Sequence, residues 1–339
     1  MKAISLFSGA GGDSLGMHNA GIEVVAFSEF DETASQTHLA NFPDCEWIRH
    51  EGKSDITKIP DEAFEKYRGV DLIFGGFPCQ AFSHAGKKLA TQDPRGTLFL
   101  EFARVTKLLK PRFVIGENVQ GLLQRKVDDV RVFDRIVKTF EDLGYKMRYK
   151  VLDASDFKTP QRRKRLFLVG CSDHDFDFGF PEPTGTVRLS QVLEKTLENA
   201  IKVANLPKNV VFAHEFGEED AEDAKLTGDP HPFLKLNVSR GTVSFAKRES
   251  PNHGEILDPN GFAKTILCAY VFQPRLYVAL KTKDADYLRT LTIKELGMIQ
   301  GFPATYEFRG TTNQKIKQIG NAVPPNMVEA VCRRLLTSS

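Results

Sequence analysis

Cysteine is scarce and scattered in this chain: Cys45, Cys79, Cys171, Cys268 and Cys332 make five, an odd number with no CxxC pair. That pattern argues against a disulfide framework and against a structural zinc. No apolar stretch approaches the roughly 18 residues that read as a membrane span. The opening MKAISLFSGAGG has neither the apolar core nor the cleavage site of a secretory leader. The expectation is a reducing, cytoplasmic setting without membrane attachment. An excess of one charge is missing too: 46 Lys and Arg face 44 Asp and Glu, a formal net charge of +2. A nucleic-acid site would therefore have to concentrate its positive charge locally. Internal repeats and long low-complexity segments are also lacking.

What remains is ordinary globular material, 339 residues with 41% hydrophobic and 27% charged. That suits one large α/β domain and a smaller second lobe. Apolar runs at Lys2 to Phe7, Ile22 to Phe27, Val70 to Phe74 and Phe113 to Ile115 read as buried strands. Helical periodicity lies between them, at Leu98 to Leu109 and at Val127 to Leu143, where Gly144 stops it. Strands alternating with helices predict a doubly wound, mostly parallel sheet. From Phe180 to about Leu280 the pattern becomes irregular, with turn clusters such as TGDPHP and DPNG. Six carboxylates between Glu215 and Asp223 read as a solvated loop. Helical periodicity returns at Thr292 to Gln300 and after Pro325. The expected division is a catalytic domain over 1–183, an irregular lobe over 184–280, and a segment over 281–339 that packs back on the first domain.

Several segments carry chemistry. Phe7 to Gly12, FSGAGG, forms a glycine-rich strand-to-helix turn where backbone can approach a ligand. It is not the GxGxxG of dinucleotide enzymes, which disfavours a nicotinamide oxidoreductase. Glu29 lies about 20 residues on, past the second strand, where an acid can accept from ribose hydroxyls; its bland alternative is a helix-start acid beside Asp31. Phe30 could stack on an adenine or simply fill core. GGFPCQ follows the strand DLIFG, so Cys79 falls at the carboxyl edge of the sheet on a loop stiffened by Pro78. The other four cysteines read as inert and buried. Glu117, in ENV after the strand RFVIG, should reach the same edge, desolvated enough to hold a proton near neutrality. Gln161 to Arg165, QRRKR, is a dense basic cluster suited to base and phosphate contacts, or else a solvated surface run.

Taken in order, FSGAGG, GGFPCQ, ENV, QRRKR, RTLTIKELGMIQGFP and IGNAVPP make the chain resemble the DNA cytosine-5 methyltransferase family, of the bacterial restriction-modification type. The resemblance covers nearly everything except about Pro183 to Leu280. It implies a Rossmann-like, S-adenosylmethionine-dependent enzyme with a target-recognition region between the basic cluster and RTLT. It implies Cys79 as nucleophile, Glu117 as the carboxyl engaging the target base, and Arg163 and Arg165 holding the pyrimidine oxygen and nearby backbone. Phe7, Gly9, Gly11 and Gly12 would line the methionine part of the cofactor, with Glu29 on the ribose. Asp55 and Ile56 would bracket the adenine, Asn321 would help from the C-terminal motif, and Phe30 and Pro78 are counted with the cofactor-binding residues. Gln80 and Ser83 would belong to a loop closing over DNA, and Thr265 would touch the DNA backbone. No metal is implied. The sequence departs from the family where Ser5 replaces the usual Asp, and where Ser54 precedes Asp55 and Ile56 in place of Gly.

The chemistry expected is methyl transfer to C5 of a flipped-out cytosine in a specific double-stranded DNA sequence, through a covalent bond from Cys79 to C6. The product cofactor is S-adenosylhomocysteine. Double-stranded DNA is the expected partner, with a cognate restriction endonuclease acting on the same site, a monomeric enzyme, and association with the nucleoid through DNA. One alternative is the tRNA cytosine-5 branch of the same superfamily, which typically shows a Cys-Phe-Thr signature absent here. Another is a non-catalytic DNA-binding regulatory module, which would be expected to lose Cys79, Glu117 or the glycine turn.

Overall fold

The computed structural model describes residues 1–78, 98–127, 129–204, 206, 208–220, 225–227, 234–237, 242–245, 255–270 and 276–338. The expected catalytic-loop residues Cys79, Gln80 and Ser83 lie outside them.

The first domain is built on a seven-stranded sheet. In chain order its elements are β1 (Lys2–Leu6), α1 (Gly12–Asn19), β2 (Glu23–Ser28), α2 (Glu32–Asn41), β3 (Glu46–Trp47), α3 (Glu62–Glu65), β4 (Leu72–Gly75), α4 (Leu98–Leu109) and β5 (Phe113–Val119). A short hairpin of β6 (Lys126–Val127) and β7 (Val130–Arg131) precedes α5 (Val132–Asp142), β8 (Lys146–Asp153) and β9 (Lys164–Cys171). Strand order is β3-β2-β1-β4-β5-β9-β8, parallel through β5 and antiparallel from β5 to β8. The expected doubly wound, mostly parallel sheet is therefore present. Apolar runs such as Ala3 to Leu6 and Leu72 to Phe74 are buried on both faces, as central parallel strands require. The helix expected from Val127 begins instead at Val132, because the hairpin turns through Asp129 at a φ of 60°.

The second lobe holds β10 (Ile201–Val203), β11 (His214–Glu215), the separate ribbon β12 (Leu234–Asn237) and β13 (Thr242–Phe245), β14 (Glu255–Ile256), β15 (Leu276–Lys281) and β16 (Asp286–Thr290). The expected division at 280 falls within β15, whose antiparallel pairing with β16 carries the sheet on to Thr290. Its core gathers Leu189, Leu197, Leu276, Val278 and Leu280 with Leu296 and Ile299 of α6 (Ile293–Gln300) and Ile316 and Ile319 of α7 (Thr312–Asn321). Only the last helix, α8 (Pro325–Thr337), joins the first domain's core, through Met327, Val328 and Val331. The C-terminal segment thus returns in two parts.

The RTLTIKE segment has a local logic. Thr292 caps α6, accepting from the Glu295 amide at 3.1 Å while the Glu295 carboxylate accepts from the Thr292 amide. The same carboxylate forms a fully buried bidentate pair with Arg289, both contacts at 2.7 Å. Arg289 also donates to the carbonyls of Thr196 and Glu194, which ties the entry of the lobe to its exit.

Candidate active site

At the carboxyl edge of the sheet, β1 runs into the glycine loop. Phe7 adopts a φ of 60° and Gly11 one of 84°, left-handed backbone that costs a side-chain-bearing residue free energy and clusters at functional sites. The loop's four expected ligands divide. A Cβ at Gly12 would lie 2.4 Å from the Val323 carbonyl, and one at Gly11 would strike His38 and Tyr306, so these two glycines answer to packing. A Cβ at Gly9 would meet nothing within 4 Å, so Gly9 faces open space.

Glu29 closes the loop from β2. Its Oε2 accepts from the Gly9 amide and its Oε1 from the Asp31 amide, both at 2.8 Å. Burial raises its carboxyl above the usual range against the pull of these amides. The helix-start role read for Asp31 is real, since Asp31 caps α2 through the Thr33 and Ala34 amides. Phe30 is 73% exposed, an aromatic face held at the edge rather than in the core. Ser54 Oγ donates to the Phe30 carbonyl at 3.4 Å, bringing Ser54 to Ile56 beside it. Within that trio Asp55 spends Oδ1 on the Thr57 amide and hydroxyl, and Ile56 points into the core. Trp47, the sole tryptophan, donates its indole N–H to the Glu29 carbonyl at 3.0 Å. Asn321 is exposed at the end of α7, and Pro78 is exposed at the last described residue before Cys79. An open backbone turn, a carboxylate able to accept further donors and an exposed aromatic ring fit the amino acid, ribose and adenine parts of S-adenosylmethionine.

Glu117 lies one residue beyond the parallel pairing of β4 with β5, which ends at Gly75 and Gly116. A Cβ at Gly76 would stand 3.8 Å from Glu117 Oε2 and 3.9 Å from the Phe7 carbonyl. The carboxyl, the glycine loop and the strand leading to Cys79 therefore meet at Gly76. Asn118 fixes that junction by donating to the Phe77 carbonyl at 2.9 Å. Glu117 is 8% exposed, and Arg165 Nε pairs with its Oε1 at 3.0 Å. Burial raises the Glu117 carboxyl above the usual range, opposed by the charges of Arg165 and Arg163.

The basic cluster follows the two-residue period of an extended chain entering β9. Gln161, Arg163 and Arg165 turn inward, while Arg162 and Lys164 are exposed. Arg163 is held among backbone carbonyls. It is 2% exposed, and its guanidinium donates to the carbonyls of Ile266, Gly320 and Ala322. Burial and the neighbouring Arg165 push it down to about 9, which leaves it charged at neutral pH. Gln161 donates to Gln300 and accepts from the Ile266 amide, and Gln300 donates to Ala322. These side chains join first domain, second lobe and C-terminal segment. Thr265 belongs to the same seam, its hydroxyl donating to the Arg162 carbonyl at 2.8 Å. Among the other four cysteines, Cys45, Cys171 and Cys332 are buried as expected, but Cys268 is exposed. Burial pushes the Cys45 thiol up to about 12.

A glycine loop closed by a carboxylate, on a doubly wound sheet with a protonatable acid at the next strand edge, defines a Rossmann-like methyltransferase that uses S-adenosylmethionine as methyl donor. Residues 1–337 match the family described as C-5 cytosine-specific DNA methylase, and the chain belongs to that family. It is 33% identical over 347 residues to Type II methyltransferase M1.HphI of Haemophilus parahaemolyticus, covering 98% of this chain and 86% of the relative. It is 34% identical to M.Eco47II of Escherichia coli, covering 97% and 77%. Among solved structures, one titled as a putative DNA modification methyltransferase encoded within a prophage (E. coli) superposes with a TM-score of 0.71 at 24% identity, covering 99% of both chains. The Dnmt2 methyltransferase of S. pombe superposes at 0.70 with 17% identity, covering 99% and 98%. These two likenesses establish the fold. The protein is a DNA cytosine-5 methyltransferase.

The reading of Glu29 gives one expected result here. Glu29→Ala should weaken S-adenosylmethionine binding by roughly 1.5–3 kcal/mol, the value of a hydrogen bond to a charged acceptor. DNA binding should be weakened much less. Calorimetric titration with the cofactor checks this, and an unchanged affinity would remove Glu29 from the site.

Proposed function

We propose that this enzyme methylates one cytosine within a specific double-stranded DNA sequence through covalent catalysis by Cys79. The observation that carries the reading is the buried Glu117–Arg165 pair beside Gly76, on the strand end that delivers Cys79. Cytosine C5 is too weak a nucleophile to take a methyl group unaided. Addition of the Cys79 thiolate at C6 pushes an electron pair toward C5 and makes it nucleophilic. Glu117, protonated, donates to N3 and neutralises the charge that the addition places on the ring. Arg165 steers O2 and keeps the Glu117 carboxyl oriented. Bound S-adenosylmethionine supplies a methyl group on a positively charged sulfur. Loss of the C5 proton to a base then lets the thiol leave.

Arg163 acts on this scheme from behind, holding Gly320 and Ala322 against the first domain. Residues 184–280 would supply most base contacts, and the target cytosine must leave the stack, at a cost of a few kcal/mol met by DNA contacts. The naming of relatives as Type II methyltransferases supports a cognate endonuclease with the same recognition site. A monomer in the cytoplasm, resident on DNA, completes the reading. No helix among the described residues is long and apolar enough to cross a membrane.

The deciding experiment expresses the protein in cells lacking 5-methylcytosine and sequences their DNA with single-base detection of that modification. One fully modified short sequence is expected. Modification confined to tRNA would overturn the DNA assignment.

A further inference from the structure

Asp13 has no part in the scheme above, yet its surroundings are unusual for an acid. It is the second residue of α1 and 2% exposed, and hydroxyls rather than a cation satisfy its carboxylate. Oδ2 accepts from Ser5 Oγ, and Oδ1 accepts from Ser8 Oγ at 2.8 Å. Ser8 Oγ lies 3.3 Å from Ser14 Oγ, which in turn lies 2.9 Å from His38 Nε2. The imidazole stacks on Phe27 with ring centres 3.7 Å apart, and burial keeps it neutral by pushing it down to about 3. An acid buried without a cation is costly, and an arrangement that retains one needs a reason.

The reason lies in what the two serines flank. Between Ser5 and Ser8 is Phe7, the residue held at a φ of 60°. One carboxylate thus fastens both sides of the strained turn whose carbonyl faces Gly76 and whose next residues reach Gly9. We infer that Asp13 is the positioning residue that holds the glycine loop in its cofactor-binding form. The acid stands on the helix, and its hydroxyl partners stand on the strand and the turn, so the pocket pairs one carboxylate with the serines on either side of Phe7. The inference rests on the placement of S-adenosylmethionine at this loop.

The test is an exchange. Asp13→Ser removes the carboxylate, and Ser5→Asp alone puts two carboxylates in contact. The double variant Ser5→Asp/Asp13→Ser returns one acid and one hydroxyl to the pocket. The dissociation constant for S-adenosylmethionine is followed by calorimetry, with KM and kcat measured separately and folding checked by circular dichroism. Asp13→Ser is expected to raise the dissociation constant and KM by about tenfold or more, since the charge-assisted hydrogen bonds from Ser5 and Ser8 are both lost. Its kcat at saturating cofactor should stay within about threefold of the parent, because no group acting on the cytosine is removed. The double variant should regain affinity to within about threefold. A purely structural role would lower stability without splitting KM from kcat and would not be rescued by exchange. The inference is overturned if folded Asp13→Ser binds the cofactor as the parent does. It is equally overturned if the double variant fails to fold or stays as impaired as Asp13→Ser. Glu29→Ala, run in parallel, separates the two ideas. If both variants bind normally, the placement of the cofactor falls; if only Asp13→Ser does, the positioning role alone falls.

Discussion

A DNA duplex carrying 5-fluorocytosine at the target position should form an adduct with this enzyme that survives denaturation. It should form only when S-adenosylmethionine is present. In the proposed scheme the Cys79 sulfur bonds to C6, C5 takes the methyl group, and the exit is loss of the C5 proton followed by departure of the thiol. Fluorine cannot leave C5 as a cation, so the sulfur stays attached and the complex accumulates. Digestion should place the linkage on the peptide containing Cys79. Cys79→Ser should abolish the adduct and lower turnover by on the order of a thousandfold or more, as loss of a catalytic nucleophile does. The control that matters most is Cys268→Ser. Cys268 is an exposed thiol, and Gly320 approaches its backbone so closely that a Cβ there would stand 2.5 Å from the Cys268 amide. Cys268→Ser should leave the adduct intact, whereas an adduct mapping to Cys268 or persisting in Cys79→Ser would overturn the covalent assignment. Cys45, Cys171 and Cys332 are buried and cannot reach DNA without unfolding.

Part of this fold was legible in the sequence and part was not. Buried parallel strands are continuous apolar runs, so β1, β4 and β5 could be read directly, and with them the sheet edge where β4 ends beside Glu117. The start of α5 was misread because a hairpin of two-residue strands leaves almost no periodic signal. The same is true of the second lobe, whose strands β10, β11 and β14 are two or three residues long and take their pairing from β15 and β16. QRRKR read as a dense basic cluster, but the period of an extended chain splits it. Arg163 spends its charge on three backbone carbonyls contributed from more than 100 residues away. No local pattern announces a partner at that separation. Asp13 was missed for a related reason. Ser5 was visible as a departure, and the acid eight residues later was not connected to it, because strand and following helix meet only in three dimensions.

The charge on Glu117 is where the geometry makes its most demanding claim. Burial holds its carboxyl above the ordinary range while Arg165, 3.0 Å away, and Arg163 pull it down. If the protonated form donates to N3 of the cytosine, Glu117→Ala should reduce kcat by about 10²- to 10⁴-fold, the usual range for a general acid. Glu117→Gln keeps a donor of similar shape but cannot pass a proton, so it should lose less than Glu117→Ala. The sign of the pH effect follows from the acid's form. As pH rises through the Glu117 titration the carboxylate fills, the donor disappears, and activity falls on the alkaline side. Glu117→Gln should lack that limb, since its amide donates at every pH. Arg165→Ala removes a positive charge that favours the carboxylate, so it should raise the Glu117 titration further and move the alkaline limb to higher pH. These shifts are read from kcat against pH at saturating DNA and cofactor. A limb that stays in Glu117→Gln belongs to another group, and one that moves to lower pH in Arg165→Ala contradicts the pairing. The first result would leave Glu117 as an anchor for Arg165 rather than the proton donor to the base.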